Sequence, residues 1–249
     1  MTVIEFNHRT IPILSAGKGW IVVDKPSGMS VHNDPGNDLT SAVNSFLKKK
    51  DGFHPLGCDP AYGMHAVHRL DRETSGVVIL AGQPAAVQFL ARQFEKRTVK
   101  KRYQAVVHGL LSEPDGEDGW GTWEWPLTRQ AGGRHCPEGK GSKVDCRTRY
   151  RVLQHTAHYT LIECELLTGR KHQIRRHLKL AGHAIVGDRR YGTPRSVKFL
   201  KNQRGFDRLG LHAMAISLRV PGQDSIRTVE SPGLPPEMQM LLNGDDKLR

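Results

Sequence analysis

Residues 68–81 read HRLDRETSGVVILA, a polar string that runs directly into five apolar residues. The apolar half, Val77 to Ala81, is short, uncharged and bounded by Gly76 and Gly82, which suits a buried strand. The polar half is then the loop that delivers the chain into that strand, so Asp71 and its neighbours stand at the rim of a sheet. Arg69 and Arg72 flank Asp71, and their guanidinium groups keep it ionised while attracting phosphate. On the residues alone, a ligand-facing carboxylate and an internal ion pair closing the loop are both open.

The surrounding chain supplies partners for that strand. Trp20 to Asp24 reads as a buried strand stopped by Lys25-Pro26-Ser27-Gly28. Asp38 to Leu47 carries Leu39, Val43, Phe46 and Leu47 at helical spacing, with Asp38 or Thr40 as the cap. The Gly- and Pro-bearing stretch 48–62 reads as loop. Pro84 to Arg97 is an amphipathic helix with Pro84 in its first turn and Val87, Leu90, Ala91 and Phe94 on one face. Val99 to Val107 alternates as a half-buried strand with Lys100, Arg102 and Gln104 on one side. Residues 111–141, rich in Gly, acid and Trp, read as an exposed hairpin or loop insert. Further strands are expected at 143–153, 159–167, 209–220 and 226–229. A loop turning into a helix is expected over 168–181, and a short helix after Pro235-Pro236. Strands outnumber helices and no βαβ rhythm repeats. The expected class is α+β, a mixed, largely antiparallel central sheet with flanking helices in one domain over 1–249.

Composition narrows the function. The 249 residues carry 37 Lys+Arg against 25 Asp+Glu, a formal net charge of +12, which suits a polyanionic partner. The charge is clustered over Arg92 to Arg102, Arg170 to Arg190 and Arg195 to Arg208, each time among apolar residues, as expected for patches on a folded surface. No apolar run approaches the length needed to span a bilayer, and no secretory signal is visible, so a cytoplasmic protein is expected. Cys58, Cys136, Cys146 and Cys164 lack paired spacing and are expected to be reduced. His172, His177 and His183 miss the i, i+4 alignment of a helical zinc pair, so no metal is expected.

A second polar string, LTGRKHQIRRH (167–177), concentrates donors at a helix start, where oriented amides plus Arg and Lys suit anion binding. The alternative is a solvated helix face, but Ile174 and Leu178 must pack inward and so fix which basic residues point away.

Taken in order, these strings resemble the RluA family of pseudouridine synthases. HRLDRETSG followed by VVILA resembles its catalytic motif, IVVDKPSGMSVH (21–32) its opening strand and loop, and VKKRYQAVVHG (99–109) its second motif. LLTGRKHQIRRHLKLAGHAIVGDRRYG (166–192) and LGLHAMAISL (209–218) are similar to its third motif and the segment after it. Four ordered motifs cover about residues 20–220.

The resemblance implies roles by position. Asp71 is the essential carboxylate of a uridine isomerisation that breaks the N1–C1′ bond, turns the base and rejoins it through C5, by attack at C1′ or by a glycal route. Arg175 pairs with Asp71. Tyr103 stacks under the uracil and is the candidate for proton transfer. Arg69 fills the gap left by the flipped uridine, and Ile174 and Leu211 are apolar walls. His68, Arg72, Thr74, Lys101, Arg170, His172, Gln173 and Arg176 are substrate or RNA contacts. The partner implied is tRNA or rRNA, with no cofactor, no metal, no membrane and no obligatory protein partner, in a monomer. About 18 residues precede the first family strand, too few for the S4-type domain many relatives carry, so RNA choice falls to the catalytic domain, chiefly 111–141. Lys171 stands where Thr is usual and Arg176 where Val is frequent. Two rivals are a non-catalytic RNA-binding protein on the same scaffold and a glycosidic-bond hydrolase. The first conflicts with the joint presence of Asp71, Tyr103 and Arg175. The second wants a second acid that no motif supplies.

Overall fold

The structure, a computed structural model, describes residues 2–49 and 56–245. In chain order the elements are β1 (Val3–Phe6), β2 (Arg9–Gly17), β3 (Trp20–Lys25), α1 (Leu39–Lys49), β4 (His65–Ala66), β5 (Ser75–Ala81), α2 (Pro84–Glu95), β6 (Lys100–His108), β7 (Gly121–Trp123), β8 (Leu127–Thr128) and β9 (Lys143–Val144). They continue as β10 (Thr148–His155), β11 (Tyr159–Leu166), α3 (Gln173–Leu180), α4 (Pro194–Arg204), β12 (Leu211–Arg219), β13 (Ile226–Glu230) and α5 (Pro236–Asn243). The class is α+β with mostly antiparallel pairing. The chain divides into two compact units, residues 1–101 with 213–233 and residues 102–212 with 234–249. Part of the loop read over 48–62, residues 50–55, lies outside the described residues. Among the described residues no helix is long and apolar enough to cross a membrane.

In the first unit the strands run in the order β1-β2-β3-β5-β12, with β13 beside β12 and β4 beside β5. β5 is buried along its whole length, as its unbroken apolar run requires. It pairs antiparallel with β3 from Trp20↔Ala81 to Lys25↔Gly76. Helix α2 lays Ala86 and Leu90, with Val87 and Phe94, onto the core of Val22, Val77, Ile79, Ile216 and Leu218. Truncating Leu90 there would cost about 2–5 kcal/mol. Asp38 caps α1 by accepting from Ser41 N at 2.8 Å, one of the two caps expected.

The second unit has the strand order β6-β11-β10-β7. β6 and β11 pair from Arg102↔Glu165 to His108↔Tyr159. Helices α4 and α5 bury Leu200, Met238, Leu241 and Leu242 against Val106, Tyr159, Leu161 and Val186.

Two expectations are corrected. The strand read over 143–153 is two, β9 and β10, separated at residues 145–147. The 111–141 stretch is not wholly an exposed insert: β7 pairs with β10, Trp123 stacks on Tyr150 at 3.9 Å, and Leu127 and Thr128 are buried. Helix α4 and the β1–β2 hairpin have no counterpart in the sequence reading.

Candidate active site

The loop before β5 is held by residues of the turn after β3. Lys25 is fully buried, and its Nζ donates to the carbonyls of Pro26, Met29 and Arg72 at 3.0, 2.7 and 3.2 Å. An ammonium offers three donors, so these three bonds match its capacity. Gly28 N donates to Arg72 O at 2.8 Å, Arg72 Nε donates back to Gly28 O at 3.1 Å, and Ser27 Oγ donates to Glu73 O at 2.6 Å. Thr74 N closes a turn onto Asp71 O at 3.1 Å. Thr74 and Ser75 are buried beneath it, while Asp71 is half-buried and Arg69 is exposed. Gly76 ends the loop at φ +118, and a Cβ there would stand 2.3 Å from Ala213 O, so no other residue fits.

His68 was expected among the RNA contacts, and its surroundings correct that reading. Its Nε2 accepts from Ile79 N at 3.1 Å and its ring stacks on Phe94. Burial, reinforced by the charge of Lys101, pushes its pKa down to about 3. The ring is therefore neutral, with its proton on Nδ1, and it braces the loop against β5. Lys101, half-buried, has its own pKa lowered by burial.

In the second unit, α3 and the turn before it carry the other motif. Gln173 was expected to touch RNA, yet its amide is spent inside. Oε1 accepts from Thr168 Oγ1 (2.8 Å) and Arg170 N (3.0 Å), and Nε2 donates to Arg147 O (3.0 Å) and Thr148 Oγ1 (2.9 Å). His172 takes a left-handed φ of 55° at the helix start, and its Nδ1 lies 3.1 Å from Tyr191 Oη. Arg170 Nε is buried with no hydrogen-bond partner among the described residues. Tyr103 on β6 is buried opposite Cys164, and Ile174 and Leu211 are buried too.

Arg175 forms a two-point ion pair with Asp188, Nε to Oδ2 at 2.8 Å and Nη2 to Oδ1 at 2.9 Å. Both side chains are almost wholly buried. Asp188 Oδ1 also accepts from Arg190 N (2.9 Å) and Tyr191 N (3.0 Å), so the carboxylate is fixed before it fixes the arginine. The sequence reading passed over Asp188. Its signal was there: it is the one acid in the basic run Arg170 to Arg190.

Arg176 is the clearest departure from expectation. It is fully buried, and its guanidinium donates to Pro137 O, Thr128 O, Thr128 Oγ1, Glu138 O and Lys171 O. Five N–H groups meet five acceptors, four of them in the 128–138 segment. From that position it holds the segment and has no edge to offer RNA. Arg190 adds bonds to Ala131 O and Gly132 O at 2.9 Å each, and Arg134 donates back to Gly192 O. His177, next on α3, reaches Trp125 O at 3.0 Å. Arg102, the last residue of the basic run Arg92 to Arg102, pairs at 3.0 Å with Glu163, which also takes Arg151.

Comparison with known proteins places these loops. Residues 19–180 match the family model described as RNA pseudouridylate synthase. The chain is 37% identical over 223 residues to ribosomal large subunit pseudouridine synthase D of Nitrosomonas europaea, covering 89% of this chain and 61% of that one. It is 33% identical over 222 residues to the uncharacterized RNA pseudouridine synthase YlyB of Bacillus subtilis, covering 89% and 68%. The chain thus spans about two thirds or less of the length of such relatives. Among solved structures, human RNA pseudouridylate synthase domain containing 4 superposes with a TM-score of 0.70 at 26% identity, over 93% of this chain and 91% of that one.

Proposed function

The chain belongs to the RNA pseudouridylate synthase family, in its RluA branch, and from that premise we propose that it converts uridine in RNA to pseudouridine with Asp71 as the essential carboxylate. The observation that carries the reading is that the family match spans both the Asp71 loop and Arg175, each built into its own unit by buried polar contacts. Asp71 acts at ribose C1′ as the N1–C1′ bond breaks, either as nucleophile or in a glycal route. The uracil turns in place, C5 bonds to C1′ as any Asp71–C1′ ester breaks, and the proton lost from C5 is matched by one gained at N1, with Tyr103 as the group that stacks on the base and serves that transfer. The family resemblance gives Arg175 the task of keeping that carboxylate ionised, and within its own unit Asp188 holds the Nε and Nη2 edge of its guanidinium. Arg69 occupies the space of the extruded nucleotide. Ribosomal RNA is the favoured substrate because several relatives are named for the large subunit, with tRNA as the alternative. We infer further that the protein acts as a monomer in the cell interior, without an obligatory protein partner.

The test is purified protein incubated with RNA from a strain lacking the gene, without added cofactor. The product nucleoside should keep the mass of uridine and elute differently. Asp71→Asn should abolish it with RNA affinity nearly unchanged, because phosphate contacts supply binding. Released free uracil would point to a hydrolase, and a variant that keeps a tenth of the activity would remove Asp71 from its role.

A further inference from the structure

We propose that a pocket in the second unit, lined by none of the residues assigned above to chemistry, binds one unstacked nucleotide of a single-stranded RNA segment. The pocket has a volume of about 460 Å³, within the range of nucleotide-sized ligand sites. Its floor is built by the sheet: His108 and Tyr159 stand directly opposite each other on β6 and β11, with ring centroids 5.8 Å apart. Its wall is α4, which contributes Ser196, Phe199 and the two arginines Arg195 and Arg204.

Phe199 and Arg195 each have a feature that a purely structural role leaves unexplained. Phe199 is a large apolar ring left 48% exposed on a helix that buries Leu200 and carries Arg195, Lys198, Lys201 and Arg204. Arg195 is exposed and has no hydrogen bond or ion pair among the described residues. His108 Nε2 lies 2.7 Å from Ser196 Oγ, which ties sheet to helix and holds the imidazole ring in place. Burial lowers the pKa of that imidazole, so it is a neutral flat surface and not a competing cation. Asp245, beneath the rim, is buried and held by His158 at 2.8 Å, with Arg204 3.9 Å away. An aromatic platform rimmed by guanidinium is the chemistry that stacks a base and neutralises its phosphate, with little preference for which base. It also gives a use to the basic run from Arg195 to Arg208.

The inference rests on the reading of the chain as an RNA-modifying enzyme, so the probe is chosen to contain no uridine. Binding of fluorescein-labelled octa-adenylate to the full chain is measured by anisotropy for wild type, Phe199→Ala and Arg195→Ala. Each substitution lies at an exposed position, so the fold is retained. The dissociation constant should rise about tenfold for Phe199→Ala and several-fold for Arg195→Ala. An abasic octamer should bind weakly and equally to wild type and Phe199→Ala. Pseudouridine formation by Phe199→Ala at saturating RNA should match wild type. Equal affinity of wild type and Phe199→Ala for octa-adenylate, or abasic binding as tight as octa-adenylate, overturns the pocket. Loss of octa-adenylate affinity in Phe199→Ala from a wild type that makes no pseudouridine would keep the pocket and discard the synthase reading.

Discussion

Lys25 in the first unit and Arg176 in the second do similar work with different tools. Both are fully buried cations, and both donate to backbone carbonyls of a loop distant in sequence. Lys25 meets three carbonyls, one of them Arg72 O, and so fixes the loop that carries Asp71. Arg176 meets five acceptors and fixes the 128–138 segment beside Arg175 on the same helix. Each loop also ends on a glycine that tolerates no side chain: Gly76, against Ala213 O, and Gly139, where a Cβ would strike Thr128 Oγ1. The difference lies in what is held. The compact ammonium secures the short loop to which we assign chemistry; the broad guanidinium fork secures the longer segment to which we assign selection.

The largest effect is expected at Lys25. Lys25→Met takes a charged donor from the carbonyls of Pro26, Met29 and Arg72, the last of which keeps its bond from Gly28 N, at about 1–3 kcal/mol for each acceptor left buried without a partner, and loosens the turn that positions Asp71. A displacement of the carboxylate by about 1 Å is worth on the order of 100-fold in rate. Single-turnover pseudouridine formation should fall by at least that factor, with a lowered melting temperature. Ser27→Ala, which removes one bond to Glu73 O, is the milder partner and should lose only a few-fold. Wild-type turnover in Lys25→Met would dissolve the comparison at once.

Arg176→Met should separate selection from chemistry. Stability should drop by about 3 kcal/mol, since several acceptors lose a charged donor and part of the segment is free to find water. The rate on a short hairpin substrate should stay within about threefold of wild type, while the map of modified positions on full-length RNA should broaden. Arg176→Lys should not rescue the map, because a point donor cannot meet acceptors spread across a planar fork. An unchanged map in Arg176→Met would show that the 128–138 segment does not choose the RNA.

These two cations also mark what could be read from the chain. The stretches around Lys25 and Asp71 were both legible as motifs, and β3 and β5 as apolar runs, because burial on both faces leaves an unmistakable pattern. That Lys25 holds the Asp71 loop was not legible, since the contact spans 47 positions and no local periodicity records it. Asp188 hid for the opposite reason: a single acid among seven bases looks like dilution of charge, yet it is a buried partner of Arg175. Arg176 and Gln173 looked like RNA ligands because polar residues at a helix start usually face water; the segments packed over them reversed that. Helix α4 escaped because only Leu200 is buried on it, leaving almost no amphipathic signal. The β1–β2 turn escaped because Asn7 and His8 take its left-handed positions without a glycine.

The hold on 111–141 includes a proton-sensitive contact that the hold on the Asp71 loop lacks at its cation. His177 is fully buried at Trp125 O, and burial pushes its pKa down to about 4. In the unfolded chain it titrates near 6.5, so below that pH the unfolded state binds more protons. The contribution of the neutral imidazole is full above pH 6.5 and is lost as pH falls toward about 4, amounting to about 3 kcal/mol. His68 acts in the same direction down to about 3. Denaturant unfolding at a series of pH values should show a shallower acid slope in His177→Gln than in wild type. Identical slopes would mean that His177 is solvated.

The smallest effect tests whether the two clamps are internal at all. Cations whose donors are spent inside the protein release no counterions when RNA binds, whereas cations facing water do. Lys100 is exposed, Arg102 is already paired with Glu163, and Arg176 is enclosed. In log–log plots of affinity against salt, Lys100→Ala should lower the slope by about 0.7, the value for one single-strand phosphate contact. Arg102→Ala should lower it by less, because the charge of Arg102 is already partly neutralised by Glu163 and so displaces fewer counterions. Arg176→Met should leave the slope unchanged even where it weakens binding, since the loss is one of loop order and not of a phosphate contact. A slope change in Arg176→Met equal to that of Lys100→Ala would place its guanidinium on the RNA and end its assignment as the counterpart of Lys25.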